Sequence, residues 1–190
     1  MARRAVSVLV LAPDAAGEGL VEGLGADRAG AMHELLVARA RAWAVDGFGA
    51  ARVSVARERS FAAALAARPE LCAGGGPIVL VAPELPAWSA AMTADLRGDL
   101  DAGCEVALGP IFDGGVYVLA LADAGAASPE ILAEFGLTGR HGLAGLFGLA
   151  EREHWEVGLL RAERGLRRRG DVRAVLADPR TDAELRGLLK

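Results

Sequence analysis

The sequence predicts a single α/β domain over residues 1–190, a mixed, mostly parallel sheet with helices on both faces. Three observations carry this. Short β-branched runs alternate with Ala/Leu/Arg stretches of helical period. The run IVLV at residues 78–81 is apolar throughout, as a strand covered on both faces must be. The runs at 105–108 and 116–121 are too close for a helical crossover, so those two strands should be antiparallel.

The elements follow in order. AVSVLVLA at residues 5–12 reads as the first strand; only eight apolar residues follow Arg3-Arg4, and Asp14 and Glu18 come close behind, which suits a buried strand better than a signal peptide. Residues 27–45 form a helix, with Ala29, Met32, Leu36, Ala40 and Trp43 on one stripe, Asp27 as N-cap and Gly47 after its end. ARVSVA at 51–56 is a strand and 60–67 a short helix. A Gly74-Gly75-Gly76-Pro77 turn precedes the strand at 78–81. Residues 87–102 are helical and stop at Gly103. Helices are expected at 129–135 and 143–152, a strand at 156–160, and a last helix at 181–189 capped by Thr181. The segments 122–128 and 164–170 read as loops.

Composition excludes several chemistries. The only lysine is Lys190, so a Walker-type phosphate loop and Schiff-base catalysis both lack their residue. With no asparagine, N-linked glycosylation has no acceptor. A net charge of −4 argues against nucleic acid as a partner. No apolar run approaches the roughly 20 residues needed to cross a bilayer. Cys72 and Cys104 are isolated, as expected of reduced thiols in a cytoplasmic protein. Glu151 and His154 form only one carboxylate–histidine pair, whereas a di-iron bundle needs two and further carboxylates. His33 and His141 stand alone, and His33 is expected along its helix surface.

The stretch ALGPIFDGGVYVLAL at 107–121 holds the most informative motif. Asp113-Gly114-Gly115 reads either as a hairpin turn, whose central residues tolerate positive φ, or as a ligand site where glycines admit a close approach beside a carboxylate. Gly17-Glu18-Gly19, with Gly23 and Gly25, reads as a flexible loop or as a backbone ligand loop; its spacing is wrong for a dinucleotide fingerprint. Arg161, Arg164, Arg167, Arg168, Arg169 and Arg173 crowd one segment, as a solvated surface or as a phosphate clamp.

G-P-x-x-D-G-G-x-Y-x-L at residues 109–119 resembles the G-P-x-x-D-G-G-Y-Y-L-L segment of the DUF2064 family. These are small GT-A-like proteins related to nucleotide-diphospho-sugar transferases and phospholactate guanylyltransferases, and the resemblance implies a bacterial protein. The resemblance is close over residues 78–121. Three other motifs depart from it. The family's basic first loop, P-G-x-x-K-T-R-L, is here Pro13-Asp14-Ala15-Ala16-Gly17-Glu18-Gly19-Leu20, with two acidic residues and no basic one. Its G-S-D-x-P is Ala82-Pro83-Glu84-Leu85-Pro86, and its D-V-D-T is Asp171-Val172-Arg173-Ala174.

The resemblance implies a nucleotide-dependent glycosyl- or nucleotidyl-transferase acting on a nucleotide or nucleotide-sugar with Mg²⁺ or Mn²⁺. It implies Glu84 and Asp113 as catalytic and metal-binding carboxylates, with Asp171 as a further metal ligand. Gly17, Gly19, Gly114, Gly115, Trp88 and Arg173 would then contact the ligand, Trp88 by stacking. A homodimer is also expected. Three departures in four motifs keep two other readings open. One is a GT-A-like binding or assembly protein impaired in catalysis. The other is a module that binds some other anion through the arginine segment.

Overall fold

A computed structural model of the chain describes residues 5–127, 132, 142–179 and 181–190. Six strands form one sheet: β1 (Ser7–Leu11), β2 (Val53–Ala56), β3 (Ile78–Val81), β4 (Val106–Pro110), β5 (Val116–Leu121) and β6 (Val157–Leu159), in the order β2-β1-β3-β5-β4-β6. β1 pairs parallel with β2 and β3, and β4 parallel with β6. β5 runs antiparallel to both of its neighbours, β3 and β4. The mixed, mostly parallel sheet is therefore as the sequence predicts.

Strand alternation divides the core. Leu9, Leu11, Ile78, Leu80, Leu119 and Leu121 face one side, where Phe61 and Leu65 of α3 (Phe61–Ala66) and Leu146 and Leu149 of α6 (Gly142–Glu153) cover them. On the same side, Leu71 and Cys72 of α4 (Glu70–Ala73), a helix that the sequence reading left out, pack against this cluster. Val8, Val10, Val79, Val81 and Tyr117 face the other side, against Ala40 and Trp43 of α2 (Ala26–Phe48) and Leu96 of α5 (Ala90–Ala102). Helices thus lie on both faces.

A third cluster lies beyond the sheet. Leu20 of α1 (Glu18–Leu24), Met32 and Leu36 of α2, Leu166, Val172 and Val175 of α7 (Arg169–Ala177), and Leu185 and Leu189 of α8 (Ala183–Leu189) pack together. Here the structure corrects the sequence reading. The glycine-rich stretch after β1 is not a loop but mostly helix α1. Its Leu20, and Val172 and Val175 of α7, supply apolar contacts that outweigh the helix cost of glycine, about 1 kcal/mol each. The loop expected at 164–170 runs into α7. α2 is capped by Gly25 rather than Asp27 and continues through Gly47 to Gly49, whose φ of 88° ends it. α8 is capped by Asp182 rather than Thr181: the Asp182 carboxylate accepts from Leu185 N at 2.9 Å, while the Thr181 hydroxyl donates to Val175 O at 2.6 Å. The helix expected at 129–135 lies, except for Leu132, outside the described residues, as does His141.

Two features of this packing can be measured. A Cβ on Gly109 of β4 would overlap the buried Tyr117 ring and Val118, whereas one on Gly98 of α5 meets nothing. In chemical denaturation Gly109→Ala should cost about 1–3 kcal/mol, and Gly98→Ala should gain about 0.5–1 kcal/mol.

Arg39 binds both oxygens of Asp182, at 2.8 and 3.0 Å, and ties α8 to α2. That hydrogen bond is the main reason the Asp182 carboxyl is pulled down from 3.8 to about 2. A lowered native pKa gives stability that is present above the unfolded value and lost as pH falls through the native one. The advantage of wild type over Asp182→Asn should therefore be about 1 kcal/mol at neutral pH, as for a well-formed exposed pair. It should vanish as pH falls from about 4 towards 2 in acid-unfolding curves.

Candidate functional site

β1 and β3 run parallel, so the loops after them leave the sheet at one edge. β5 runs against β3, so its first residue lies at that same edge, and the β4–β5 turn carrying Asp113 joins it there. A cleft of about 590 Å³ opens at this edge. Leu11, Leu20, Leu36, Ala82 and Leu166 supply an apolar wall; Glu18, His33, Arg59, Glu84 and Arg167 supply polar groups. Loops at the carboxyl ends of strands are where open α/β sheets hold ligands.

Glu84 and Asp113 do come together, but through a third residue. Arg167 Nε donates to Glu84 Oε2 at 2.5 Å, and Nη2 lies 2.5 Å from the same oxygen without hydrogen-bond alignment. Nη1 donates to Asp113 Oδ1 at 3.3 Å. The three side chains are 26%, 16% and 14% exposed for Glu84, Asp113 and Arg167. Burial pushes the Glu84 carboxyl above the ordinary range, and the nearby Asp113 and Asp171 charges add to this; Arg167 opposes the rise.

The backbone holds this arrangement. Leu166 N donates to Glu84 O at 2.7 Å, and Arg167 N donates to Asp171 Oδ2 at 3.1 Å. Asp171 accepts a second bond from Arg168 N at 3.1 Å, so it serves to close the start of α7. Gly114 has φ 94° and meets the turn's demand for glycine. Gly115 N donates to Asp113 Oδ1 at 3.2 Å, and a Cβ on Gly115 would overlap the Arg167 guanidinium. Leu143 N at the start of α6 donates to Gly114 O at 3.0 Å.

The other expected residues divide. Gly17 lines the cleft. Gly19 packs against the Arg167 carbonyl, which a Cβ would approach to 2.8 Å. Arg173 is exposed on α7 and is not among the residues lining the cleft. Trp88 lies apart: its ring is 4.6 Å from Trp43 and 5.7 Å from Tyr117, and it lines a separate cavity of about 620 Å³ between α2 and α5. His33 does not lie along the helix surface but turns into the cleft, where Nε2 meets Pro13 O at 2.6 Å and fastens the first loop to α2. Sequence reasoning missed Arg59 and did not separate Arg167 from its neighbours. The only sequence signal for Arg167 is its place beside the buried Leu166.

The donor set does not fit a resident divalent ion in this arrangement. Glu84 and Asp113 are both engaged by Arg167, and Asp171 accepts from two backbone N–H groups. Among the described residues no group of three His, Cys, Asp or Glu side chains is placed to hold one ion. Nor is any helix among them long and apolar enough to cross a membrane.

Arg167→Met would leave two partly buried carboxylates without their cation. Losing a fully buried partner costs about 3–5 kcal/mol, and the partial exposure here lowers that to about 2. Because the Glu84 pKa is raised, its ionisation costs stability as pH rises. The Arg167→Met penalty in denaturant titrations should thus be largest at neutral pH and shrink as Glu84 protonates. Adding Glu84→Gln should recover part of it.

No family model matches the sequence, and no curated protein matches it significantly. Among solved structures, the chain is similar to a protein of Desulfovibrio desulfuricans G20 provisionally assigned as a nucleotide-diphospho-sugar transferase. The two share 14% identity over 97% of this chain and 93% of the other, with a TM-score of 0.72. A second structure, a homologue of a Mycobacterium tuberculosis protein from Mycobacterium sp. strain JC1, has 17% identity over 92% and 96% but a TM-score of only 0.48. The first likeness spans nearly both chains and shows that this protein has the fold of the Desulfovibrio protein.

Proposed function

We propose that the chain is a nucleotide-diphospho-sugar-transferase-like protein, a divergent relative of the DUF2064 and phospholactate guanylyltransferase group, that binds a nucleotide or nucleotide-sugar in the cleft at the sheet edge. One observation carries this: the loop after β1, Glu84 after β3 and Arg167 line a single cleft of nucleotide size. The shared fold and the G-P-x-x-D-G-G segment support it.

The chemistry follows from the lining. The apolar wall of Leu11, Leu20, Leu36 and Ala82 suits a base and ribose face. Arg59, exposed at the cleft, offers a planar fork for phosphate oxygens. His33 holds the first loop in place through Pro13 O. In a transfer reaction Asp113 and Glu84 would position the acceptor, with Arg167 holding both carboxylates in place. The Mg²⁺ or Mn²⁺ expected from the resemblance has no part in this reading, since Arg167 engages both carboxylates.

The engagement of both carboxylates by Arg167 also favours the second reading, a protein that binds nucleotide and does not turn it over. Calorimetry with nucleoside diphosphates and nucleotide-sugars tests the binding common to both readings. At least one should bind, and Arg59→Ala should weaken it about tenfold, the loss of one exposed charge-assisted bond. A well-folded protein that binds none of them would rule out both. Product formation from a bound nucleotide-sugar would separate transferase from binding protein.

A further inference from the structure

We infer that Arg167 is the resident cation of the cleft: its guanidinium fills the position between Glu84 and Asp113 that a divalent ion would need, so whatever ligand the site takes is bound without metal there. The identity of that ligand rests on the function proposed above; the exclusion of metal does not.

Two carboxylates drawn together away from water need a cation or a proton between them. A side chain supplies it here. Arg167 reaches Glu84 Oε2 through Nε and Asp113 Oδ1 through Nη1. Guanidinium stays charged at every working pH, and its flat fork can serve two acceptors at once.

The surroundings are shaped for that group. The bare face of Gly115 lies where a Cβ would overlap the guanidinium. Leu166 N on Glu84 O fixes the residue before it, and the Asp171 carboxylate fixes its own backbone N–H. Its carbonyl lies against Gly19 on α1, where a Cβ would come within 2.8 Å. Four separate segments therefore hold Arg167: the first helix, the loop after β3, the Asp-Gly-Gly turn and the start of α7. A side chain placed by chance on a solvated arginine-rich surface would not be enclosed in this way. Its neighbours show the contrast: Arg161 is 75% exposed and pairs with Glu163, and Arg168 is about half exposed.

Removing the guanidinium should open the position to a metal. The probe is Mn²⁺ alone, followed by electron paramagnetic resonance, which separates free from bound ion. Wild type should leave the free-ion signal unchanged. Arg167→Met should bind one Mn²⁺ per chain at least tenfold more tightly than wild type, and Arg167→Gln, which keeps a polar side chain, should do the same if the methionine variant fails to fold. Arg167→Met combined with Glu84→Gln should lose that binding. Arg167→Lys, which keeps the charge, should exclude the ion as wild type does.

Either of two Mn²⁺ results would overturn the inference. One is wild type that binds Mn²⁺ and loses it on Glu84→Gln. The other is a folded Arg167→Met or Arg167→Gln that binds no more than wild type. The wild-type arm decides even if neither variant folds. Any nucleotide found by calorimetry should bind equally with and without a chelator, and dependence on metal would also overturn it. Failure of every nucleotide, with the Mn²⁺ pattern intact, would remove the proposed function and leave the cation assignment standing.

Discussion

A strand that runs backwards between two forward strands must begin where they end. β5 lies between β3 and β4 and opposes both. The tight turn feeding it is therefore forced to the edge where β1 and β3 finish, and Asp113 with it. Without that reversal, β4 and β5 would need a long crossover, and the turn would have no reason to meet Glu84. The reversal also explains Gly109 and Tyr117, which come from these two adjacent strands. The Tyr117 ring lies across the bare Gly109 backbone, and its hydroxyl donates to Arg161 O at 3.2 Å. The chain leaving β6 is thereby held against the sheet just before it reaches Arg167.

Charge then sets what the edge can do. Asp113 and Glu84 arrive from different strands, and burial raises the cost of ionising Glu84. Arg167 meets that cost locally, and Gly115 leaves the room for it. The second glycine of the turn is thus explained by a neighbouring side chain before any ligand is considered. Whatever enters the cleft meets Glu84 already paired with Arg167, with Asp113 engaged on the same guanidinium, rather than two open carboxylates.

Much of the sheet was legible because its signals are local. The apolar run at Ile78–Val81, the Asp-Gly-Gly turn and the short gap between β4 and β5 each state their geometry within a few residues. The glycine-rich α1 and the arginine-rich start of α7 were not legible, because what holds them is remote. Leu20 of α1 and Val172 and Val175 of α7 share one cluster, and neither segment is convincing as a helix without the other. Glu84 and Asp113 could be picked from the motif and its loop, and they do converge. Trp88 could not be placed: its distance from Glu84 in sequence is short, but its ring packs towards Trp43 and Tyr117. Arg167 was hidden among five other arginines, since which of them faces inward depends on Leu166, Asp171 and the bare face of Gly115.

The acidic first loop is the feature that argues most directly against a phosphate ligand, and the tertiary structure reduces its weight. Asp14 is fully legible as a negative charge in the sequence, yet Arg57 from the loop after β2 lies 3.7 Å from it. Arg59 from that same loop lines the cleft beside Glu18. Positive charge that a basic first loop would carry is thus supplied from the neighbouring strand's loop, next to β1 in the sheet. Arg167 supplies a second cation from the far end of the chain. Relocated cations of this kind leave no trace in a motif comparison that reads one loop at a time. They add positive charge at the cleft, though, and the field, not the motif, decides whether an anion is attracted.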